Sequence, residues 1–536
     1  MEADAATLAA AVPAAAPPAL GGPAPAVRIS GVSDDTRRAE PGDLFVLRGG
    51  WGPAAANRLA AAAAAGARAA VLPADAERPA AEAAAGLALF FAEPGVALDQ
   101  AAAGRVADAF YGNPAGGLAL LGVTGTNGKT TVATLARHLL AGLGVKAGLL
   151  GTVAVDTGAG GGPRPAELTT PGAVELRRLF AQMRGNGCEA VAMEVSSHAL
   201  DQGRTAGLAF EAAVFTNLTQ DHLDYHGSMA AYAEAKARLF GQLRGPEPGG
   251  DPGGIAVLNV EDPAWEVMRG KLPAERVIRT ALGPAATAEA TAEALDLGVT
   301  HARARFRGPF GCFEATLGTG GRHNVSNALQ AVAAAWAVAQ RLRPGAATPE
   351  ALAAALASAP PVPGRLEPVA TPPGADPAGL PAVLVDYAHT PDALARVLAA
   401  LRPVTPGRLV VVYGCGGDRD RTKRPLMTRA ALAGADAAVL TADNPRTEDP
   451  RRILDDAAAG AGPADRPRLR VVADRREAIA AAVAGAGPGD AVLVAGKGHE
   501  DHQLVGDGSG GVVRLRFDDR EEAAAALAAR VGDPLL

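Results

Sequence analysis

The chain reads as an α/β protein of three domains, and three observations predict this. An apolar run, Leu118-Ala119-Leu120-Leu121, leads into the glycine-rich stretch GVTGTNGKTT at 122–131, after which Val132, Leu135, Ala136 and Leu139 recur at helical spacing. Beyond residue 365, strand candidates at 383–385, 409–413, 437–440, 469–472 and 491–495 alternate with helical stretches, the pattern of a doubly wound parallel sheet. A length of 536 residues exceeds what one core accommodates, and short strand candidates at 27–29, 44–46 and 69–72 mark a small α/β unit ahead of the glycine loop. The expected division is an Ala/Pro-rich leader over 1–24, a small N-terminal domain over 25–115, a central domain over 116–343 and a C-terminal domain over 344–536.

The leader carries acids where a secretory signal needs basic residues, and prolines interrupt it before a membrane span could form. It reads as partly mobile. In the N-terminal domain, the turn Pro41-Gly42-Asp43 precedes the second strand candidate, and Asp34-Asp35-Thr36-Arg37 reads as a capped loop.

The central domain reads as P-loop ATPase-like. A strand, a glycine loop and a helix N-terminus in succession form a phosphate cradle, with Lys129 as a point charge for the outer phosphates and the Thr130 hydroxyl as a Mg²⁺ ligand. The spacing departs from a strict Walker A, because Val123 stands where its first glycine falls. Two later strand candidates end in chemistry: 190–193 delivers Glu194-Val195-Ser196-Ser197-His198, and 212–215 delivers 216–224, with Asp221 and His222. A carboxylate and an imidazole at equivalent strand ends are plausible ligands for a cation beside a nucleotide. Lys236 lies in a helix, where a solvated lysine paired with a nearby glutamate is the ordinary reading. The sharper one is a buried amine of lowered pKa that adds CO₂ as a carbamate. The stretch 321–328 opens a helix, with Ser326 and Asn327 suited to capping it.

The C-terminal domain reads as Rossmann-like, without a GxGxxG fingerprint. Loops after parallel strands share one edge, so 386–392, 414–421, 441–446 and 496–501 should converge there. An edge bearing Arg419, Asp443, Arg446 and Glu500 suits a small zwitterion, guanidinium for carboxylate and acids for ammonium.

Composition narrows the class. A net charge of −6 removes any bulk electrostatic case for nucleic acid, and no membrane association is expected. Three widely spaced cysteines offer no disulfide framework, which fits a cytoplasmic protein. Of 51 basic residues only six are lysine, and Lys129, Lys236, Lys423 and Lys497 all fall in the stretches singled out above or beside them.

Together TGTNGKT, EVSSHAL, TNLTQDHLDYHG, HNVSNAL, VDYAHTPDAL and GCGGDRDRTKRPLM resemble the Mur ligases, the ATP-dependent amino-acid ligases of bacterial cell-wall synthesis, over about residues 120 to 500. The resemblance implies that Gly125, Thr126, Asn127, Gly128, Lys129, Thr130 and Thr131 hold ATP. It implies Thr130, Glu194, His222 and Lys236, the last as a carbamate, as Mg²⁺ ligands, and Lys129, Glu194, His222 and Lys236 as the catalytic set. Asn324, Asp386 and His389 would contact the nucleotide. Thr36, Thr169, Thr170, Ser196, Gln202 and Arg204 would contact a UDP-N-acetylmuramoyl dipeptide. Arg419, Asp443, Asn444, Pro445, Arg446, Gly496 and Glu500 would bind meso-diaminopimelate, for which Asp443-Asn444-Pro445-Arg446 matches the family's signature. The segment 50–58 stands where the family has DGHxFI, and Thr36 where a serine is usual.

The expected reaction is acyl-phosphate formation on the D-glutamyl γ-carboxylate followed by amine attack, releasing ADP and phosphate from a monomeric enzyme. L-Lysine is the competing third substrate, folylpolyglutamate synthase the competing ligase, and a non-catalytic ATP-binding assembly protein the competing class.

Overall fold

The computed structural model describes residues 2–12, 27–76, 86–248, 251–284 and 287–532. The chain forms two compact units, one of residues 1–281, 286–290 and 330–352, the other of 282–285, 291–329 and 353–536. Among the described residues no helix is long and apolar enough to cross a membrane.

The first unit opens with a four-stranded parallel sheet, Gly31–Ser33, Asp43–Val46, Ala69–Leu72 and Ala88–Phe91 in that order. The start of the leader, read from the sequence as partly mobile, forms regular structure. Ala3–Asp4 pairs with Arg28–Ile29, and Asp4 caps the short helix Ala5–Ala9 by accepting from the Thr7 N–H. Leu8 and Val12 are buried against Ile29, Leu44 and Val46. Burying such side chains contributes about 1.5–3 kcal/mol each, enough to order a short segment that has nowhere else to hide them. Residues 13–24 of that leader lie outside the described residues.

The central sheet of this unit runs Arg164–Pro165, Ala154–Asp156, Ala147–Leu150, Ala190–Glu194, Ala119–Thr124, Phe210–Phe215, Ile255–Asn259, Val277–Leu282. Ala119–Thr124 is buried throughout, with a parallel neighbour on each side. Such a strand needs apolar residues on both faces, which is why it reads as a continuous run. Leu176, Leu179, Phe180 and Met183 of the helix Ala173–Gly185 pack with Leu120, Val191, Met193 and Phe210. That helix also joins the two sheets. The Ala173 N–H donates to Gln100 Oε1 at 2.7 Å, and the buried Arg177 reaches Asp108 at 3.1 Å and the Ala206 carbonyl at 2.6 Å.

The second unit contains the antiparallel strands Ala302–Gly308 and Gly311–Leu317 and a six-stranded sheet. Its order is Glu367–Pro368, Ala382–Asp386, Ala491–Ala495, Leu409–Cys415, Ala437–Ala442, Leu469–Val471. All are parallel except the first, and the strand latest in sequence enters between Ala382–Asp386 and Leu409–Cys415. This crossover brings the loop after residue 495 into the middle of the carboxyl edge. A hairpin, His502–Gly506 with Val512–Arg516, follows that loop.

Candidate functional site

The glycine loop leaves Ala119–Thr124 at Gly125 and enters the helix Lys129–Gly142 through Gly128, which sits at φ +85° as an N-cap without a side chain. Gly125, at φ +145°, is required twice over. Its backbone conformation is one L-residues avoid, and a Cβ there would lie 1.9 Å from Thr216 Oγ1. The next strand end braces the loop: the Asn127 N–H donates to Asn217 Oδ1 at 3.0 Å, Asn217 Nδ2 donates back to the Asn127 carbonyl at 3.1 Å, and Thr126 N–H donates to the Asn217 carbonyl. Thr130 and Thr131 are buried in the first helical turn. The result is a rigid concavity at a helix N-terminus, the electrostatic requirement for polyphosphate.

Two lysines share one acceptor in this loop. Lys129 Nζ donates to the Gly125 and Thr126 carbonyls at 2.9 Å each, and Lys236 Nζ donates to the same Gly125 carbonyl at 2.8 Å. Lys236 is 1% exposed, and its Nζ lies 4.4 Å from the centroid of the Tyr232 ring. Burial, and secondarily repulsion from Lys129, hold its pKa well below 10.5. The solvated reading of this residue is therefore wrong: its helix, Met229–Ala237, presents it inward.

Strand register places Glu194 level with Val123, and Phe215 level with Thr124, on the two sides of the loop-bearing strand. The Glu194 side chain is held by Thr152, whose N–H donates to Oε1 at 2.6 Å and whose hydroxyl donates to Oε2 at 3.1 Å. The Thr152 hydroxyl also meets that of Thr169 at 3.0 Å. His222 is half-exposed at φ +52°, with its ring centroid 4.8 Å from that of His198. Burial leads the effects that lower its pKa, favouring the neutral imidazole a metal ligand needs.

A cleft of about 360 Å³ lies in the same unit, between the N-terminal sheet and the loops around residues 164–172 and 202–204. Arg37, Arg38, Arg48, Arg164 and Arg204 line it with Gln202, and Asp34, Asp35, Glu167 and Glu175 in the same lining form ion pairs with the first four of these arginines. Gln202 Oε1 accepts from Arg204 Nε and Nη2 at 3.0 and 2.7 Å, so these two side chains hold each other in place. Thr36, Thr169, Thr170 and Ser196 lie outside the lining, although neighbours such as Asp35, Arg37, Leu168 and Pro171 belong to it. The departing segment 50–58 turns into the helix Pro53–Ala64, from which Arg58 donates to the Arg48 carbonyl at 2.9 Å.

In the second unit the polar loops meet at the carboxyl edge as their shared position requires. A Cβ on Gly496 would lie 2.6 Å from Asp443 Oδ2. One on Gly416 would lie 3.0 Å from Arg446 Nη1 and 3.6 Å from Arg419 Cγ, so both arginines flank one glycine. Arg446 sits at φ +54°, a strained position for a non-glycine residue, and its Nη1 donates to the Gly417 carbonyl at 2.8 Å. Pro445 is buried, its carbonyl packed against Gly417. His389 is exposed, its Nδ1 2.8 Å from the Tyr387 carbonyl.

With this geometry in place, comparison with known proteins gives a consistent result. The Mur ligase middle domain matches residues 123–335, and the Mur ligase glutamate ligase domain matches 364–498. The chain is 44% identical over 511 residues to the UDP-N-acetylmuramoyl-L-alanyl-D-glutamate–2,6-diaminopimelate ligase of Synechococcus elongatus, covering 94% of each chain.

The chain belongs to the Mur ligase family.

Among solved structures, this Mur ligase resembles a UDP-N-acetylmuramoyl-L-alanyl-D-glutamate–2,6-diaminopimelate ligase at 33% identity and a TM-score of 0.62, with 94% of this chain and 95% of the other covered. A folylpolyglutamate synthase from Mycobacterium tuberculosis shares the fold alone, at 22% identity, a TM-score of 0.53 and 73% of this chain.

Several side chains that the resemblance places at ligands make hydrogen bonds within this Mur ligase. Thr170 is fully buried, its hydroxyl donating to the Glu194 carbonyl at 2.9 Å and accepting from the Ser196 N–H at 3.0 Å. Ser196 caps the helix Ser197–Asp201. The Asp386 carboxylate accepts from the Leu366 and Ala388 N–H groups at 2.8 and 2.9 Å, and burial raises its pKa. Asn324 Nδ2 donates to the Gly320 carbonyl at 2.8 Å. Asn444 Oδ1 accepts from Lys497 Nζ and the Leu504 N–H, and its Nδ2 donates to Glu500 Oε2. Each of these residues shapes the backbone that carries the site. Sequence reasoning also missed Thr152, Asn217 and Lys497. Their only signals were a strand end in Gly151-Thr152, the residue after Thr216, and the scarcity of lysine.

Proposed function

We propose that the protein is an ATP-dependent amide ligase that joins meso-diaminopimelate to the D-glutamyl γ-carboxylate of UDP-N-acetylmuramoyl-L-alanyl-D-glutamate, the step named in its relatives, within cytoplasmic peptidoglycan synthesis. The observation that carries this reading is the carboxyl edge of the second unit. There Arg446 and Arg419 flank Gly416 while the Asp443 carboxylate packs on Gly496, a cation pair and an acid placed for a substrate with carboxylates and an ammonium. We divide the chain functionally into an N-terminal module for the UDP end, a central nucleotide module and a C-terminal amino-acid module.

A carboxylate does not condense with an amine unaided, because oxide is a poor leaving group. The γ-carboxylate oxygen takes the terminal phosphoryl of ATP, releasing ADP. The free amine then attacks the acyl carbon, the tetrahedral intermediate expels phosphate, and the amine proton passes to solvent. The glycine loop orients the polyphosphate with its N–H groups, and Lys129 turns from the Gly125 and Thr126 carbonyls to the transferring phosphoryl, where its charge counts most. The cleft, with Gln202 and Arg204 at one wall and ion-paired arginines at the other, takes the UDP end of the acid substrate.

The donor set fits Mg²⁺. Among the described residues no group of three His, Cys, Asp or Glu forms a ready-made cage, and this cation needs only one or two protein carboxylates beside water and phosphate oxygens. Thr130, Glu194, His222 and the Lys236 carbamate are the residues that would hold it, and when bound it offsets charge on the phosphoryl and acyl oxygens. Burial lowers the pKa of Lys236 and so favours its neutral amine, the form that adds CO₂ and loses a proton to give that carbamate.

The test is a comparison of turnover with meso-diaminopimelate and L-lysine, using the UDP-N-acetylmuramoyl dipeptide and ATP and identifying the nucleotide product. Preference for diaminopimelate with release of ADP and phosphate is expected. Equal or better use of lysine, or release of AMP and pyrophosphate, would overturn the reading.

A further inference from the structure

Lys497 is buried completely, with 0% of its side chain exposed, in a chain that uses arginine for nearly every other cation. An ammonium so placed must be paired, and its partners are specific. Nζ donates to Asn444 Oδ1 at 3.0 Å and to Glu500 Oε2 at 3.3 Å. Asn444 Oδ1 also accepts from the Leu504 N–H at 2.9 Å, while Asn444 Nδ2 donates to Glu500 Oε2 at 3.0 Å. The amide orientation follows from this: rotating it would set its NH₂ against the Lys497 ammonium and the Leu504 N–H, all donors. Both bonds to Glu500 end on Oε2.

The hairpin after this loop completes the clamp. Arg446 N–H donates to the Leu504 carbonyl at 2.9 Å, and Gln503 Nε2 donates to the Asp443 carbonyl at 2.6 Å. These bonds hold Arg446 in its left-handed conformation, from which its guanidinium flanks Gly416.

We infer that Lys497 is a positioning residue for the incoming amino acid: together with Gln503 and Leu504 it sets the Asn444 amide, the Glu500 carboxylate and the Arg446 backbone in the arrangement that selects a diamino diacid. This rests on the function proposed above. It predicts an effect confined to the amino-acid substrate, because every residue of the network lies at the carboxyl edge of the second unit and none in the glycine loop or the N-terminal cleft.

The experiment is steady-state kinetics of the full-length wild type, Lys497→Met and Gln503→Leu, varying each substrate in turn. Lys497→Met should raise KM for diaminopimelate by about tenfold or more and reduce its advantage over lysine, with KM for ATP and kcat within about threefold, the scale expected for one buried charged hydrogen-bond network. Gln503→Leu, which removes a single half-buried bond, should raise the same KM by about three- to fivefold. Ethylammonium added to Lys497→Ala should lower that KM again, a response that general loss of packing would not show. A folded Lys497→Met with KM for diaminopimelate within about twofold of wild type, or a fall in kcat alone, overturns the inference, the scale being set by the smallest net hydrogen-bond effects. If Lys497→Met does not fold, an unchanged KM in Gln503→Leu overturns it instead. A wild type that uses neither diaminopimelate nor lysine overturns the functional reading and this inference together. Normal wild-type turnover with unaffected variants overturns this inference alone.

Discussion

Replacing Lys236 with methionine should remove a pH dependence of stability that the buried amine imposes. The side chain is 1% exposed, and burial with repulsion from Lys129 holds its pKa well below 10.5 in the folded protein. A free lysine in the unfolded chain titrates near ~10.4. Between the folded and unfolded values the unfolded chain therefore binds a proton that the folded chain does not. Unfolding free energy rises with pH across that window, by about 1.4 kcal/mol per pH unit for one full proton, and the penalty is complete below the folded value and gone above the unfolded one. Methionine keeps most of the stem's volume and binds no proton. It forfeits the 2.8 Å bond to the Gly125 carbonyl, a loss of about 1 kcal/mol that does not vary with pH. The difference between wild type and Lys236→Met thus isolates the slope, since every other group titrates in both. Urea unfolding in CO₂-free buffer at pH 7, 8, 9 and 10 measures it, and wild type should gain on the variant with each step inside the window. A difference that stays constant up to pH 10 would refute the claim that burial lowers the pKa of Lys236. Bicarbonate should then stabilise wild type only, with a ¹³C carbamate resonance appearing alongside.

Two further substitutions test the loop and its support. Gly125→Ala forces an alanine to φ +145° and a methyl to 1.9 Å from Thr216 Oγ1, so strain of about 1–3 kcal/mol plus a displaced hydroxyl should weaken ATP binding by tenfold or more in calorimetric titration. Thr152→Val removes the hydroxyl bonded to Glu194 Oε2 while keeping the backbone bond to Oε1, so the Mg²⁺ concentration for half-maximal turnover should rise by about tenfold with KM for the amino acid unchanged.

Much of the phosphate site was legible because it is local. A buried strand, a glycine loop and a helix start occupy consecutive residues, and each has its own pattern in Leu118–Leu121, Gly125 and Gly128, and Val132–Leu139. Lys236 was not legible from its neighbours. Its helix is alanine-rich on all sides, and only the tertiary structure brings it beneath the Gly125 carbonyl, 111 residues away in sequence. The internal hydrogen bonds of Thr170, Asp386 and Asn444 were not legible either, because which backbone groups a polar side chain meets depends on what crowds it after folding.

The sequence by itself determined where strands end in polar loops, which residues can carry phosphate or carboxylate chemistry, and that the chain alternates strand and helix. Only the tertiary structure decided that the strand at 491–495 enters between those at 382–386 and 409–415, that Leu8 and Val12 join the first core, and that Lys497 is sealed against Asn444 and Glu500. The physical reason is range. Hydrophobic period and turn chemistry act over a few residues, whereas burial, desolvation and hydrogen-bond saturation are properties of whichever distant groups the packed sheet brings to the same point.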